Sequence, residues 1–500
     1  MQFNSIHFLV FFPVVLLVYF IIPKKIRYIW LLVASYYFYM SWNPTYAILI
    51  AFSTVVTYLC SIIIEQAAVE EGKVWRCLKK ITLGIALAIN LGILFMFKYL
   101  DFAIDNINLL LENFNISVIE KEFDLLLPVG ISFYTFQALG YVIDVYRKNI
   151  KAEYNLFKYA LFVSFFPQLV AGPIERSGKL LNQIKNADKI KLWNYERIVK
   201  GFMIMMWGFF LKVVIADRAA TVVNTVFDQY YAYGSFELIT AVIMFAVQIY
   251  CDFASYSTVA VGAAQIMGFE LMDNFNTPYF AMSIKEFWRR WHISLSTWFR
   301  DYLYIPLGGN RKGKIRKHLN TMIVFLTSGL WHGANWTFVI WGALHGAYQI
   351  IGETTKPAKA KLEKKLNVKT DALSYKLIKV LITFALTCLA WIFFRADTVY
   401  IAFDYIAMIF TKVNPWALTT SVIYSLGLET QQMNILLISI GIMLIVDALK
   451  YTKNIRFENI ADNQNFWVRG AVIMALIIAV VIFGAYGGSF DAQEFIYFQF

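Results

Sequence analysis

The stretch LNTMIVFLTSGLWHGANWTFVIWGALHGAYQIIG, Leu319 to Gly352, contains no Asp, Glu, Lys or Arg. As a single α-helix its 34 residues would measure ~51 Å at ~1.5 Å per residue. That is well beyond the ~30 Å hydrocarbon core of a bilayer. The flanks are basic: residues 281–318 carry nine Lys/Arg against two acids, and residues 354–380 carry eight against two. Basic loops stay on the cytoplasmic side of a membrane. Both flanks belong there, so the stretch must enter the membrane and return. A break is needed, and Ser328-Gly329 and Gly333-Ala334-Asn335 offer it. His332 sits at that break. Non-helical backbone at membrane depth is tolerated only where protein or a water-filled cavity covers it, which places His332 deep in the protein beside a cavity.

The rest of the chain supports a membrane setting. Of its 500 residues, 59% are hydrophobic and 16% charged, with a mean hydropathy of +0.57. A soluble domain has ~25% charged residues, so a water-soluble protein is excluded. Apolar runs recur at Phe8–Ile22, Tyr46–Ile64, Ile81–Phe97, Ile239–Tyr250, Ile435–Val446 and Val472–Ala485. They are continuous rather than alternating, which excludes a transmembrane β-barrel. The expected architecture is an all-α polytopic membrane protein with about eleven spans, plus re-entrant and interfacial helices.

Loop charge sets the expected topology. Lys24, Lys25 and Arg27, then Lys73, Arg76, Lys79 and Lys80, mark cytoplasmic turns, whereas Asp101–Leu126 carries six acids against one Lys and belongs outside. Both termini are expected outside, the C-terminal one ending GSFDAQEFIYFQF. The first apolar run lacks a basic start and a small-residue cleavage site, so it is expected to be a span rather than a signal peptide. Cys60, Cys77, Cys251 and Cys388 form no CxxC pair and are expected as packing residues. One membrane domain is expected over 1–500, with N-terminal spans at 5–100, a catalytic core at about 125–350 and C-terminal spans at 375–490.

Just before the uncharged stretch, Trp288, Trp291, His292, Leu295, Trp298, Phe299 and Tyr302 recur at three- and four-residue steps. The spacing predicts a helix over Ser283–Leu303 at the cytoplasmic interface, with an aromatic face inward and Arg289, Ser296 and Arg300 on the other side. His292 lies on the inward face. An ionisable group facing a membrane interior is costly, and function is the default hypothesis for it. His345, among Gly342, Ala343 and Gly346, reads as helix packing; His7 and His318 sit in a terminus and a loop. Gly308–Ile315 nearly matches a phosphate-binding loop, but Ile315 cannot supply the hydroxyl that Mg²⁺ requires. HExxH and GxSxG are absent, and the histidines are not spaced as metal ligands. No metal site is expected.

Two segments carry a resemblance. FWRRWHISLSTWFRDYLYIPLGGNR (Phe287–Arg311) and SGLWHGANWTFVIWGALHG (Ser328–Gly346) resemble the two histidine signatures of membrane-bound O-acyltransferases, closest to the bacterial alginate O-acetyltransferase branch. Further segments are similar to that branch: Leu127–Arg147, Phe165–Arg176, Tyr250–Leu271, Trp391–Ala396 and Phe495–Phe500. The resemblance implies a funnel or central tunnel joining a cytoplasmic donor side to the outside. It implies His332 as the catalytic histidine, with His292 at the first-signature position. The related D-alanyl transfer branch shares the architecture; the AGPIER form of residues 171–176 and the FIYFQF ending favour acetyl transfer to a polysaccharide.

Acyl transfer from a thioester to a hydroxyl needs a base, and a neutral imidazole suits this. The expected roles are His332 as general base or proton relay and His292 as its assistant. Trp288, Trp331 and Asn335 are expected to line the site. Asp252 is either a buried anchor or a site residue. Arg289, Arg290 and Arg300 could meet donor phosphates or lipid headgroups. Acetyl-CoA is the donor the resemblance implies, with no bound cofactor. The implied partners are an extracytoplasmic SGNH-like acetyltransferase and the polysaccharide synthesis and export machinery, in a bacterial cytoplasmic membrane. A secondary transporter and a non-catalytic scaffold remain alternatives.

Overall fold

A computed structural model describes residues 1–70, 72–120, 127–459, 465–486 and Phe495. Among the described residues every regular element is helical. The end of the acidic segment, 121–126, and most of the C-terminal tail, FIYFQF after Phe495 included, lie outside them. The chain forms two compact units, Met1–Phe202 with Ala260–Met272, and Met203–Val259 with Asp273–Phe500.

The first unit contains α1 (Ile6–Ile21), α2 (Arg27–Met40), α3 (Tyr46–Val69), α4 (Lys73–Lys98), α5 (Leu100–Asn113), α6 (Ile131–Tyr146), α7 (Leu156–Ser164), α8 (Phe166–Leu169) and α9 (Ser177–Lys185). In an apolar setting, buried hydroxyls and amides must find partners inside the protein. Ser53 on α3 donates to the Asn90 side chain on α4 at 2.5 Å, and Tyr159 on α7 donates to Thr57 on α3 at 2.8 Å. Helix α6 is buried on nearly every face, which explains why its sequence, ISFYTFQALGYVIDVY, shows no polar stripe.

Helix α10 (Tyr195–Phe209) carries the chain into the second unit. It runs through a π-helical segment, Phe210–Ala216, into α11 (Asp217–Phe227). Then come α12 (Ser235–Met267), α13 (Ile284–Arg290), α14 (Ile293–Phe299), α15 (Lys314–His332), α16 (Trp336–Thr354), α17 (Lys356–Lys365), α18 (Leu373–Arg395), α19 (Val399–Thr411), α20 (Thr430–Lys453) and α21 (Phe466–Phe483). Among the described residues six helical stretches are long and apolar enough to cross a membrane: α3, α4, the run Tyr195–Phe227, α12, α18 and α20. Three shorter apolar helices accompany them at Ile6–Ile21, Val399–Thr411 and Trp467–Phe483. The fold is that of a polytopic α-helical membrane protein. Cys60, Cys251 and Cys388 are buried, Cys77 is exposed, and all four are free thiols.

The uncharged stretch is a helical hairpin. Ser328-Gly329 continues inside α15, and the turn is Gly333-Ala334-Asn335. Each arm has 19 residues, or ~28 Å of helix. By length each arm reaches through most of a ~30 Å hydrocarbon core.

Candidate active site

The hairpin is held backbone to backbone. A Cβ on Gly329 would fall on the carbonyl of Phe338, and one on Gly342 would fall on the carbonyl of Phe325. Only glycine permits this approach, and it brings α15 and α16 together just below the turn. At the turn, Asn335 caps α16: its Oδ1 accepts from Thr337 N at 3.0 Å, and its Nδ2 donates to the Asp397 carbonyl at 3.0 Å. The cap satisfies an otherwise orphaned helical N–H, and the second bond ties the turn to the end of α18. His332 is the last residue of α15 and is buried.

His292 reaches the same place by a different route. The periodicity over 283–303 predicts one helix, but the structure breaks it at Trp291-His292, and His292 adopts the left-handed conformation, φ 41° and ψ 56°. The cause is a competing partner. The extended segment after α12 crosses here, so Asn276 N donates to Arg290 O at 2.9 Å and Ile293 N donates to Asn274 O at 2.9 Å. Those bonds replace the helical ladder across the break. Beyond it, α14 passes into a π-helical turn, Arg300–Tyr304, and runs back along α15. Asn320, near the start of α15, donates to Gly309 O at 2.9 Å and Leu307 O at 3.3 Å. The segment expected in the interface plane therefore folds back on itself: Trp288, before the break, packs on Phe325 and His345 in the body of the hairpin, His292 lies at its tip, and the part beyond His292 runs antiparallel to α15.

There the two imidazoles meet. The His292 and His332 ring centroids are 6.4 Å apart, with planes inclined at 59°. Neither side chain is more than 3% exposed. Aromatic rings enclose them: Phe253 lies 4.6 Å from His292, and Trp331 lies 5.9 Å from His292 and 4.9 Å from His332. Trp341 and Phe394 lie 5.0 and 5.4 Å from His332. In such surroundings a hydrogen bond or partial charge is far stronger than in water.

The other residues singled out from the sequence have separate places. Trp288 donates its indole N–H to His345 Nδ1 at 3.2 Å, which leaves the His345 proton on Nε2. Trp341 packs 5.0 Å from both His345 and His332, so the Trp288–His345 pair backs the site through that ring. Asp252 forms an ion pair with Lys212 at 2.7 Å, and Lys212 a second with Asp217 at 3.0 Å. Arg218 donates to Val214 O at 3.1 Å, a carbonyl of the π-helical segment. Two cations thus balance two carboxylates inside the unit. Asp252 has the geometry of an anchor joining α12 to the π-helical segment, and its neighbour Phe253 is the ring against His292. Arg290 is committed internally, to Glu286 at 2.9 Å and to Thr277 Oγ1 at 3.1 Å. Arg300 pairs with the adjacent Asp301 at 2.7 Å and is exposed, as is Arg289. No cluster of His, Cys, Asp or Glu able to hold a metal occurs among the described residues.

Sequence reasoning missed Lys212, Phe394 and Asn274. Lys212 carried a signal: it is a lone cation inside the apolar run GFFLKVVIA, where an ionisable group demands a partner. Phe394 lies in the resembling segment Trp391–Ala396, though nothing there sets it apart from its neighbours, and Asn274 carried no signal.

A polytopic helical membrane protein with two buried, adjoining imidazoles at the tip of a glycine-packed hairpin is the class that fold and site define. Residues 147–389 match MBOAT, the membrane-bound O-acyltransferase family. The chain is 39% identical over 404 residues to the "Probable alginate O-acetylase AlgI" of Pseudomonas putida, covering 80% of this chain and 79% of that protein. It is 36% identical over 415 residues to the peptidoglycan O-acetyltransferase of Helicobacter pylori, covering 77% and 75%. It is 32% identical over 257 residues to the teichoic acid D-alanyltransferase of Streptococcus thermophilus, covering 49% and 59%. The chain belongs to the membrane-bound O-acyltransferase family and is an O-acyltransferase.

Proposed function

We propose that the protein takes an acetyl group from a cytoplasmic thioester, acetyl-CoA, and passes it through the membrane for O-acetylation of an extracellular or cell-wall polysaccharide. The observation that carries this reading is the approach of His292 and His332 to 6.4 Å in a buried aromatic enclosure. The named activities of the Pseudomonas and Helicobacter relatives support acetyl as the group and a glycan as the acceptor. D-alanyl transfer to a wall polymer is the nearest alternative, favoured by the Streptococcus relative but over a shorter aligned length.

In the proposed reaction a hydroxyl oxygen attacks the thioester carbonyl carbon. His332 accepts the hydroxyl proton as the C–O bond forms. The C–S bond then breaks, and the thiolate takes a proton from the imidazolium, directly or through His292. General-base assistance contributes ~10²–10⁴-fold, and holding donor and acceptor together in a dry site contributes through effective molarities of ~10⁵ M or more. Donor and acceptor on opposite faces add a charge constraint. An acyl group leaving without its thiolate moves outward as the equivalent of one positive charge. The hydroxyl proton moving inward to the thiolate cancels it, so two imidazoles in series would keep the transfer electroneutral.

The basic loops 281–318 and 354–380 would face the cytoplasm and both termini the outside, in a bacterial cytoplasmic membrane. Arg289 and Arg300 are then available to donor phosphates or headgroups. The acetyl group would reach the polymer directly or through an extracytoplasmic SGNH-like acetyltransferase working with the synthesis and export machinery. Purified protein given labelled acetyl-CoA should hydrolyse or transfer the label, and His332→Ala should reduce either reaction at least 10²-fold at equal folded yield. Wild-type turnover in that variant would overturn the assignment.

A further inference from the structure

We propose that Asn274 is the positioning residue that fixes His292, by capping α14 in place of the histidine. The proposal rests on the reading above that His292 assists transfer. A helix begins with N–H groups that have no partner within it, and ordinarily the N-cap side chain accepts from the second or third of them. The N-cap of α14 is His292, and its side chain makes no capping hydrogen bond. Asn274 accepts from the first two of the helix's N–H groups instead. Its carbonyl takes Ile293 N at 2.9 Å, and its side-chain Oδ1 takes Ser294 N at 3.3 Å and Ser294 Oγ at 2.6 Å. The amide Nδ2 donates to Ser257 Oγ on α12 at 2.9 Å. Asn274, Ser257 and Ser294 are all buried.

Two consequences follow. The imidazole of His292 is released from the duty an N-cap side chain normally performs. The left-handed backbone at His292, a sparsely populated conformation for a residue other than glycine, is clamped on both sides. Asn276 N holds Arg290 O before it, and Asn274 holds Ile293 and Ser294 after it. The tether to Ser257 is made four residues along α12 from Phe253, the ring packed on His292. Backbone and ring are thereby referenced to the same helix.

The test is a set of variants in full-length purified protein, with labelled acetyl-CoA turnover measured per folded molecule. Asn274→Ala should lower kcat 10–100-fold, the cost of a misplacement near 1 Å, with the KM for acetyl-CoA within twofold of wild type. Asn274→Asp, which keeps a capping oxygen that Ser257 can approach as a donor, should recover to within about fivefold of wild type. Ser257→Ala removes the far tether and leaves the Asn274 bonds to Ile293 and Ser294 in place; it should fold as wild type and lower kcat about threefold, which keeps the proposal testable if Asn274→Ala folds poorly. Wild-type kcat in folded Asn274→Ala, an Asn274→Asp variant as impaired as Asn274→Ala, or wild-type kcat in Ser257→Ala overturns the proposal. His292→Ala assayed alongside separates the two levels. If it turns over normally, the role of His292 has failed; if it is inactive while Asn274→Ala is normal, only the positioning role has failed.

Discussion

Replacing Gly342 with Ala tests whether hairpin packing sets the geometry of the site. The added methyl would fall on the Phe325 carbonyl and 3.4 Å from the Gly329 Cα. Both neighbours are backbone, so no side chain can swing aside. An ordinary carbon–oxygen contact needs ~3.3 Å or more, so α15 and α16 must part by about 1 Å. Overpacking of this kind costs ~1–3 kcal/mol. His332 ends α15 three residues beyond Gly329, so the separation reaches it directly while His292, held by α12 and its crossing segment, stays. A shift near 1 Å between reacting groups costs ~10²-fold. The expected result is acetyl turnover reduced 10–100-fold, with a lowered thermal midpoint but a folded protein. Gly329→Ala should behave alike. The double variant should lose less than the sum in free energy, because both methyls enter one contact. Normal turnover and an unchanged midpoint in Gly342→Ala would refute the premise that backbone contact holds the hairpin.

Asp252→Ala removes one of the two carboxylates paired with Lys212 inside the protein. Breaking a buried pair costs ~3–5 kcal/mol, so folded yield in detergent should fall sharply, and a normally stable Asp252→Ala would remove the anchor role. Asn335→Ala deletes the α16 cap and should cost about 1 kcal/mol, read as a lower unfolding midpoint; no change would contradict the capping geometry. Glu175, in the loop before α9, is pushed up to about 7 by burial, against the pull of the Met272 N–H, Lys179 and Arg176. An acid harder to ionise folded than unfolded loses the folded state stability as pH rises from its ordinary 4.5 towards 7. Glu175→Gln, which keeps an acceptor for Met272, should therefore raise the midpoint at pH 8 and leave it unchanged near pH 4.5; the reverse pattern would contradict the burial argument.

What the sequence disclosed follows the physics of each signal. Hydropathy and loop charge are sums over many residues, and they disclosed a polytopic helical protein. The hairpin was legible because an uncharged segment too long for one span, with basic flanks, permits little else. Its turn was less so: Gly329 and Gly333 are both breakers by composition, and only tertiary contact decides that one packs a helix while the other ends it. The course of residues 283–303 was misjudged for a related reason. Periodicity reports which face is apolar, but the helix is interrupted by hydrogen bonds from Asn274 and Asn276, on a segment more than ten residues away whose approach local pattern does not encode. His292 and His332 stood out as costly groups in apolar sequence. Asn274 did not, because an asparagine in a connecting segment is unremarkable until its partners are known.

The central claim is that the paired imidazoles move an acetyl group from one face of the bilayer to the other. It is tested most directly in sealed vesicles of uniformly oriented protein, with labelled acetyl-CoA on the side of the basic loops and a soluble polysaccharide acceptor, with any partner acetyltransferase, on the other. Labelled ester should appear in the far compartment with wild-type protein, and at less than a hundredth of that rate with His332→Ala. Ester formed only on the donor side, or at wild-type rate without His332, would contradict the account.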